Sequence, residues 1–236
     1  MIDAWSRRVA ALTQVRVTDI TAPALSREAD HHLRRVLRAR DGEEIVLSDG
    51  RGSWRMAAVT ATGLEVLSEV GVDPALGETT LYLAPLKGER GEWAIAKATE
   101  VGLARVVPLV SARLTQKFRG EARDKVLARW RRIADETCAQ CRRAHDLEIA
   151  ASMTPAEVPP GVAVADFAGS GDWSGVTAVA IGPEGGWAPG EWAEDRSRLS
   201  LGPTVLRGET AAVVAAALVA FTNGSWGFAA VGPENE

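Results

Sequence analysis

The residues with the most chemical promise sit at two strand ends in the C-terminal part of the chain. Ile181-Gly182-Pro183-Glu184-Gly185-Gly186 and Leu201-Gly202-Pro203-Thr204-Val205-Leu206-Arg207 repeat one pattern, an apolar residue followed by Gly-Pro. Ligands of open α/β sheets sit at the carboxyl ends of the strands. Glycine there removes the Cβ that would block a flat ligand. Proline fixes the turn and leaves neighbouring carbonyl and N–H groups free to read a base edge. A single Gly-Pro is an ordinary turn; two matched ends near the end of one sheet point to a binding cleft. Arg207, Glu209 and Thr210 lie just past the second end, at a predicted helix start. A cation and a carboxylate placed there serve either chemistry or the pairing of a helix end.

A second set is Cys138, Cys141 and His145, spaced i, i+3 and i+7, which is one helical face. Three such ligands would fit a zinc-dependent hydrolase. No fourth Cys or His is near, and the set falls in a basic helix rather than at a strand end, so no metal is expected. His31 and His32 read as surface or barrel-packing residues. No Gly-x-Gly-x-x-Gly follows a strand, and no Gly-x-x-x-x-Gly-Lys-Ser/Thr is present, which leaves an ordinary dinucleotide fold unsupported and excludes a P-loop.

The elements that would position these residues change character near residue 75. Residues 1–73 read as short strands around 13–17, 45–47, 54–59 and 64–67, interrupted by one helix over 26–38 with Ser26 as its cap. Such strands suggest a small barrel, and 73–77 reads as a linker. From residue 79 to 232 strands alternate with helices: strands at 80–86, 105–110, 162–167, 176–181 and 199–201, helices at 91–101, 124–143 and 208–221. That alternation predicts a parallel α/β sheet with helices on both faces.

Composition bounds the rest. The chain has 236 residues and 46% apolar content, ordinary for a globular protein. Residues 1–14 show no secretory h-region, and the apolar run Ala211–Phe221 is eleven residues, short of a membrane span. A cytoplasmic protein with no membrane partner is expected, and two cysteines make no disulfide scaffold. Net charge is −4, yet residues 113–143 carry 10 Lys+Arg against 4 Asp+Glu, and residues 144–236 carry 3 against 12. The basic middle fits either a solvated helix face or a polyanion contact.

Several stretches, in order along the chain, resemble the RsmE family of the SPOUT superfamily, the ribosomal RNA uridine-N3 methyltransferases. They are His32–Arg38, Lys87–Trp93 with Ala96–Gly102, Gln140–Arg143, Ile181–Gly186 and Leu201–Ala211. The resemblance implies an α/β fold, with a trefoil-knotted parallel sheet after a PUA-like N-terminal barrel that helps hold RNA. It implies methylation of a uridine N3 in 16S ribosomal RNA (uracil-1498 in the family), with the RNA met within the small ribosomal subunit, and a homodimer that completes each site. It further implies S-adenosylmethionine as methyl donor, held by Leu83, by Ile181, Gly182, Pro183, Glu184, Gly185 and Gly186, and by Leu201, Gly202, Val205, Leu206 and Arg207.

Methylating an imide nitrogen requires alignment of N3 with the methyl carbon and removal of the N3 proton. On that chemistry Arg207 would stabilise negative charge on the uracil oxygens and Glu209 would orient or accept the proton, with Thr210 beside them. Gly208 stands where the family usually has Thr, and Thr204 where it often has Arg. The first substitution leaves open a non-catalytic RNA-binding protein with a degenerate site. RNA contacts are expected from Arg34, Arg35, Arg38, Lys87, Arg90, Arg113, Lys117, Gln140, Arg142 and Arg143, because arginine forks bridge phosphates and stack on unpaired bases. The last helix is apolar all round and must be buried, in the core or against a partner.

Overall fold

A computed structural model of the chain describes residues 4–114 and 118–223. The chain divides into two units. One comprises Met1–Ala75 with Asp135–Asp146, the other Leu76–Ala134 with Leu147–Glu236. The sequence reading placed 135–146 in the second domain. In the structure this stretch groups with the first, because Gln14 Nε2 donates to the Arg143 carbonyl at 2.6 Å and Ser48 Oγ to that of Ala144 at 3.0 Å.

The first unit holds α1 (Ala4–Ala10), β1 (Gln14–Arg16), α2 (Arg27–His31), β2 (Glu44–Ser48), β3 (Ser53–Thr60), β4 (Gly63–Val66) and β5 (Gly71–Val72). Its five-stranded sheet runs β1-β2-β3-β4, with β5 paired to β3. Alternation sorts β2 into two faces: Ile45 and Leu47 pack with Val15, Leu33 and Val59, while Val46 packs with Ala11 and Met56.

Helix α1 was not expected, since seven residues with two arginines carry little apolar period. Arg8 is nevertheless 1% exposed. It pairs with Asp73 at 2.8 Å and lies 4.7 Å from the Trp54 ring centroid. Ser26 caps α2 as predicted, its side chain accepting from the Ala29 N–H at 3.1 Å. The helix then widens into a π-turn over His32–Val36, with the Leu37 N–H reaching the His32 carbonyl at 3.0 Å. This buries Leu33 and leaves Arg35 and Arg38 exposed.

The second unit contains β6 (Thr80–Leu83), α3 (Arg90–Glu100), β7 (Arg105–Pro108), β8 (Glu148–Ile149), β9 (Ala163–Ser170), β10 (Ala178–Ile181), β11 (Arg198–Leu199) and α5 (Gly208–Thr222). Helix α4 (Gly120–Cys141) begins here and ends among the residues of the first unit. The sheet order is β11-β9-β10-β6-β7-β8, and every pair is parallel. Strand β10 is thus laid between β6 and β9, both of which precede it in the chain.

Strand alternation again fixes the two faces. Leu81, Leu83, Val106, Val179 and Ile181 meet residues of α3, α4 and α5, whereas Tyr82, Val107, Val164 and Ala180 meet Ala150, Val158 and Trp192. Helices therefore cover one face, and irregular segments with a short 3₁₀ turn at Pro155–Glu157 cover the other. Helices on both faces had been expected. The connections that cross the second face carry Pro155, Pro159, Pro160, Pro183 and Pro189, and proline removes helix hydrogen bonds. Ala212, Ala215, Ala216 and Val219 bury one side of α5 in the core, while Phe221 at its end is exposed. No helix among the described residues is long and apolar enough to cross a membrane.

Candidate functional site

Both Gly-Pro ends open onto one cavity of about 630 Å³ in the second unit, within the range of small-molecule sites. Ile181, Gly182, Pro183, Glu184 and Gly186 line it from the end of β10. Leu201, Gly202, Val205 and Leu206 line it from the segment after β11. Three other residues expected to hold the donor are not in the lining. Leu83 lies one strand over, in register with Ile181 and fully buried. Gly185 turns its carbonyl to Arg113, whose Nη1 donates at 3.2 Å. Arg207 is exposed beside the cavity.

The two strand-end glycines have different reasons. A Cβ on Gly182 would come within 3.0 Å of the Trp187 indole, so this glycine admits a neighbouring ring rather than a ligand. Gly202 has φ +121 and faces open space, a conformation that side chains disfavour.

The remaining walls were missed by motif reasoning. Strand β9 contributes Ala165, Asp166 and Phe167, and β11 contributes Arg198. The Asp166 carboxylate is bonded by the Ala168 N–H at 3.0 Å and by the Arg198 guanidinium. The Ala168 N–H foremost, and then Arg198, hold this carboxyl below the usual range against the opposing effect of burial. Phe167 is 70% exposed at the cavity edge. Trp187 and Trp192 meet edge to face, with centroids 5.1 Å apart. The strand-end rule applied to Val162–Phe167 as well would have found Asp166 and Phe167.

Glu209 lies in the first turn of α5. Its Oε1 is 3.8 Å from Arg90 Nε, and its Oε2 is buried without a hydrogen-bond partner. Arg90 Nη1 lies 3.8 Å from Glu184 Oε1, which also accepts from the Lys87 N–H at 3.2 Å. Arg207 occupies the N-cap with no side-chain cap hydrogen bond. It does not pair with Glu209 in a salt bridge, so the helix-end pairing considered for these two residues is not formed. Thr210 is exposed. Leu86 approaches Gly208 closely, and a Cβ there would stand 2.8 Å from Leu86 Cδ2.

The expected RNA-contact residues fall into distinct settings. Arg35, Arg38, Lys87 and Gln140 are exposed. Arg34 is engaged by Asp30 at 2.7 Å and the Thr60 carbonyl at 2.8 Å. Arg142 has φ +62 and donates to the Ala11 carbonyl at 2.7 Å. Burial pushes the guanidinium pKa of both Arg142 and Arg143 down. Lys117 lies outside the described residues. Within the basic helix α4, Arg129 pairs with Glu92 at 2.6 Å, Lys125 with Glu121 at 2.7 Å, and Arg131 donates to the Ile149 carbonyl at 3.2 Å. Much of the basic stretch is therefore partnered.

The Cys138, Cys141 and His145 face is broken, because α4 stops at Cys141 and Arg142 turns left-handed. His145 Nε2 instead lies 2.9 Å from the Pro74 carbonyl. Among the described residues no group of three or more His, Cys, Asp or Glu is placed to hold a metal ion.

The parallel sheet whose last strand ends converge on one cavity, with the small β unit before it, is that of an RNA methyltransferase of the SPOUT type with a PUA-like N-terminal part, as its matches to known families show. Residues 73–220 match the RNA methyltransferase domain family, and residues 25–66 match the RNA methyltransferase PUA domain. The ribosomal RNA small subunit methyltransferase E of Mycobacterium bovis is 34% identical, over 83% of this chain and 84% of its own length. That of Synechocystis is 31% identical, over 80% and 69%. A solved structure of a putative methyltransferase from Legionella pneumophila, in complex with the bound cofactor SAM, superposes with TM-score 0.75 at 28% identity, covering 87% of this chain and 96% of that one. The chain belongs to the ribosomal RNA small subunit methyltransferase E family.

Proposed function

We propose that the protein transfers a methyl group from S-adenosylmethionine to the N3 of a uridine in 16S ribosomal RNA, the position equivalent to the family's uracil-1498. The observation that carries this reading is the convergence of both Gly-Pro ends on one cavity, with Glu209 and Arg207 at the start of the helix that closes it. The relatives' names supply the RNA, and the SAM-bound neighbour supplies the donor.

The cavity fits such a donor. Ile181, Leu201, Val205 and Leu206 offer apolar surface, and Gly202 leaves open space where a Cβ would stand. Asp166, with Arg198 behind it, offers carboxylate oxygens to hydroxyl groups. The donor supplies a methyl carbon already activated by a sulfonium. The chain's own work is to align the base, remove the N3 proton and steady the uracil oxygens. Glu209 Oε2, buried and unpartnered, is an acceptor waiting for a donor, and we assign it the N3–H proton. Arg207, exposed and free of any cap bond, stabilises the charge that develops on O2 or O4. Thr210, next on the same turn, completes the catalytic group.

RNA is held by Arg35, Arg38 and Gln140 in the PUA-like unit and by Lys87, Arg113 and Lys117 in the methyltransferase unit, with Arg34, Arg142 and Arg143 supporting the first of these surfaces. A second copy of the chain completes each site, and the RNA is presented within the small ribosomal subunit.

The deciding experiment is methyl transfer from radiolabelled S-adenosylmethionine to small subunits that lack the modification, followed by mapping of the base. Label at N3 of one uridine supports the reading. Donor binding without transfer, on subunits and on naked RNA alike, would overturn it in favour of a binding protein.

A further inference from the structure

Arg90 is the first residue of α3, and the sequence reading assigned it to RNA. In the structure its half-exposed guanidinium lies beside two carboxylates, one from each Gly-Pro region. Nη1 lies 3.8 Å from Glu184, which lines the cavity on the loop after β10, and Nε lies 3.8 Å from Glu209 on α5. The carboxylates are 25% and 16% exposed and Arg90 is 45% exposed. The Lys87 N–H, from the segment leading into α3, adds a hydrogen bond to the same Glu184 oxygen.

An arginine suits this place for a geometric reason. Its planar fork presents Nε and Nη1 in different directions, so one delocalised charge can lie beside two carboxylates at once. A lysine ammonium is a single point charge on a flexible stem and would have to choose. Without a cation between them, two carboxylates held close repel and turn apart. Arg90 therefore joins the loop that lines the cavity to the helix start that carries Glu209.

We infer that Arg90 is a positioning residue that couples donor binding to the placement of Glu209, through the pair of ion contacts to Glu184 and Glu209. The Glu209 half rests on the methyl-transfer reading above. The Glu184 half concerns the cavity alone and stands without it. When the cavity loop is ordered by a ligand, Arg90 passes that order to the carboxylate that receives the proton.

The test uses the full-length protein with Arg90→Gln, Arg90→Lys, Glu184→Gln and the Arg90→Gln/Glu184→Gln double variant. Donor affinity is read by calorimetry without RNA, and kcat and salt dependence are read with subunits. Arg90→Gln is expected to weaken donor binding by about fivefold. It should also lower kcat by roughly tenfold or more at saturating substrates. The salt slope should stay unchanged. The double variant should bind donor about as well as the weaker single one, because both remove the same link.

Arg90→Lys should fold and keep only part of kcat, since one ammonium cannot replace both nitrogens. A folded Arg90→Lys protein with full kcat overturns the coupling, and this arm decides should Arg90→Gln fail to fold. Unchanged donor affinity and kcat with a salt slope reduced by about one phosphate contact would make Arg90 an RNA ligand instead. Additive losses in the double variant would likewise overturn the inference. A wild-type protein that binds donor but methylates nothing would sink the methyl-transfer reading, while the calorimetric cycle still decides on Arg90 and Glu184.

Discussion

Glu191 accepts a hydrogen bond from the backbone N–H of Ala112 at 2.7 Å, and its other carboxylate oxygen accepts one from Ala188 at 2.7 Å. Ala188 lines the cavity, and Ala112 precedes Arg113, which lines it too. One side chain thus staples the loop after β7 to the loop after β10. Glu191→Ala should cost about 1–3 kcal/mol of stability, because two backbone donors lose a charged acceptor. Donor affinity should fall while kcat at saturation stays near wild type. Glu191→Gln, with one acceptor oxygen left, should lie between the two. Thermal melts and calorimetry read this; a Glu191→Ala protein with unchanged donor affinity would remove the staple from the binding site.

Arg207 makes no cap bond and is exposed. Arg207→Ala should therefore leave stability within about 0.5 kcal/mol of wild type. Methyl transfer should drop by roughly two to three orders of magnitude, the usual cost of losing one charge-stabilising donor. Rate and melting temperature measured on one preparation check both halves, and full activity would place the charge stabilisation elsewhere.

Asp166 carries a pH signature. Its folded pKa is depressed, by the Ala168 N–H first and by Arg198 after it. A depressed carboxylate contributes stability above its unfolded pKa, and that contribution is lost as pH falls through the folded value. The wall should therefore weaken in acid, below about pH 4. Asp166→Asn should be less stable than wild type at pH 7, and the gap should close as pH falls. Urea denaturation across that range measures it; a gap independent of pH would argue that Asp166 carries no ion-linked stability.

Gly208 faces Leu86 so closely that any Cβ requires the leucine to turn. The near atoms are the tip of a flexible side chain, so Gly208→Thr should fold with a loss of about 1–3 kcal/mol, the cost of mild overpacking. A variant that fails to fold would show that Leu86 is held too firmly to move.

The arginines separate by setting. Arg35→Ala and Arg38→Ala should each reduce the salt slope of RNA binding by about 0.9 per phosphate lost, with little change in stability. Arg142→Ala should instead destabilise the protein, since it removes the bond to the Ala11 carbonyl. Filter binding over a salt series, beside melting curves, distinguishes them. A reduced slope in Arg142→Ala would return that residue to the RNA surface.

Local chemistry made much of this legible. The Ser26 cap, the strands of both units apart from β5 and β8, and the two Gly-Pro ends follow from residue types at short range. What escaped depended on distant partners. The basic run of α4 could not reveal that Arg129 would find Glu92, nor could Arg90 reveal Glu184 and Glu209. Arg8 sits in a helix too short to show a period, and its burial is set by Trp54 and Asp73 far along the chain. Strands β5 and β8 are two residues each and are defined by their neighbours rather than by any pattern of their own.

The placement of β10 between β6 and β9 also orders events during synthesis. The middle strand of the cavity side leaves the ribosome after its two neighbours, and residues lining the cavity run from Arg113 to Ala211. Contacts of such high sequence separation form slowly, because long loops must close before any pairing rewards them. A nascent chain lacking α5 has neither the Gly208–Ala211 wall nor the helix that carries Glu209, so the cavity is completed only after every strand of the sheet has been made.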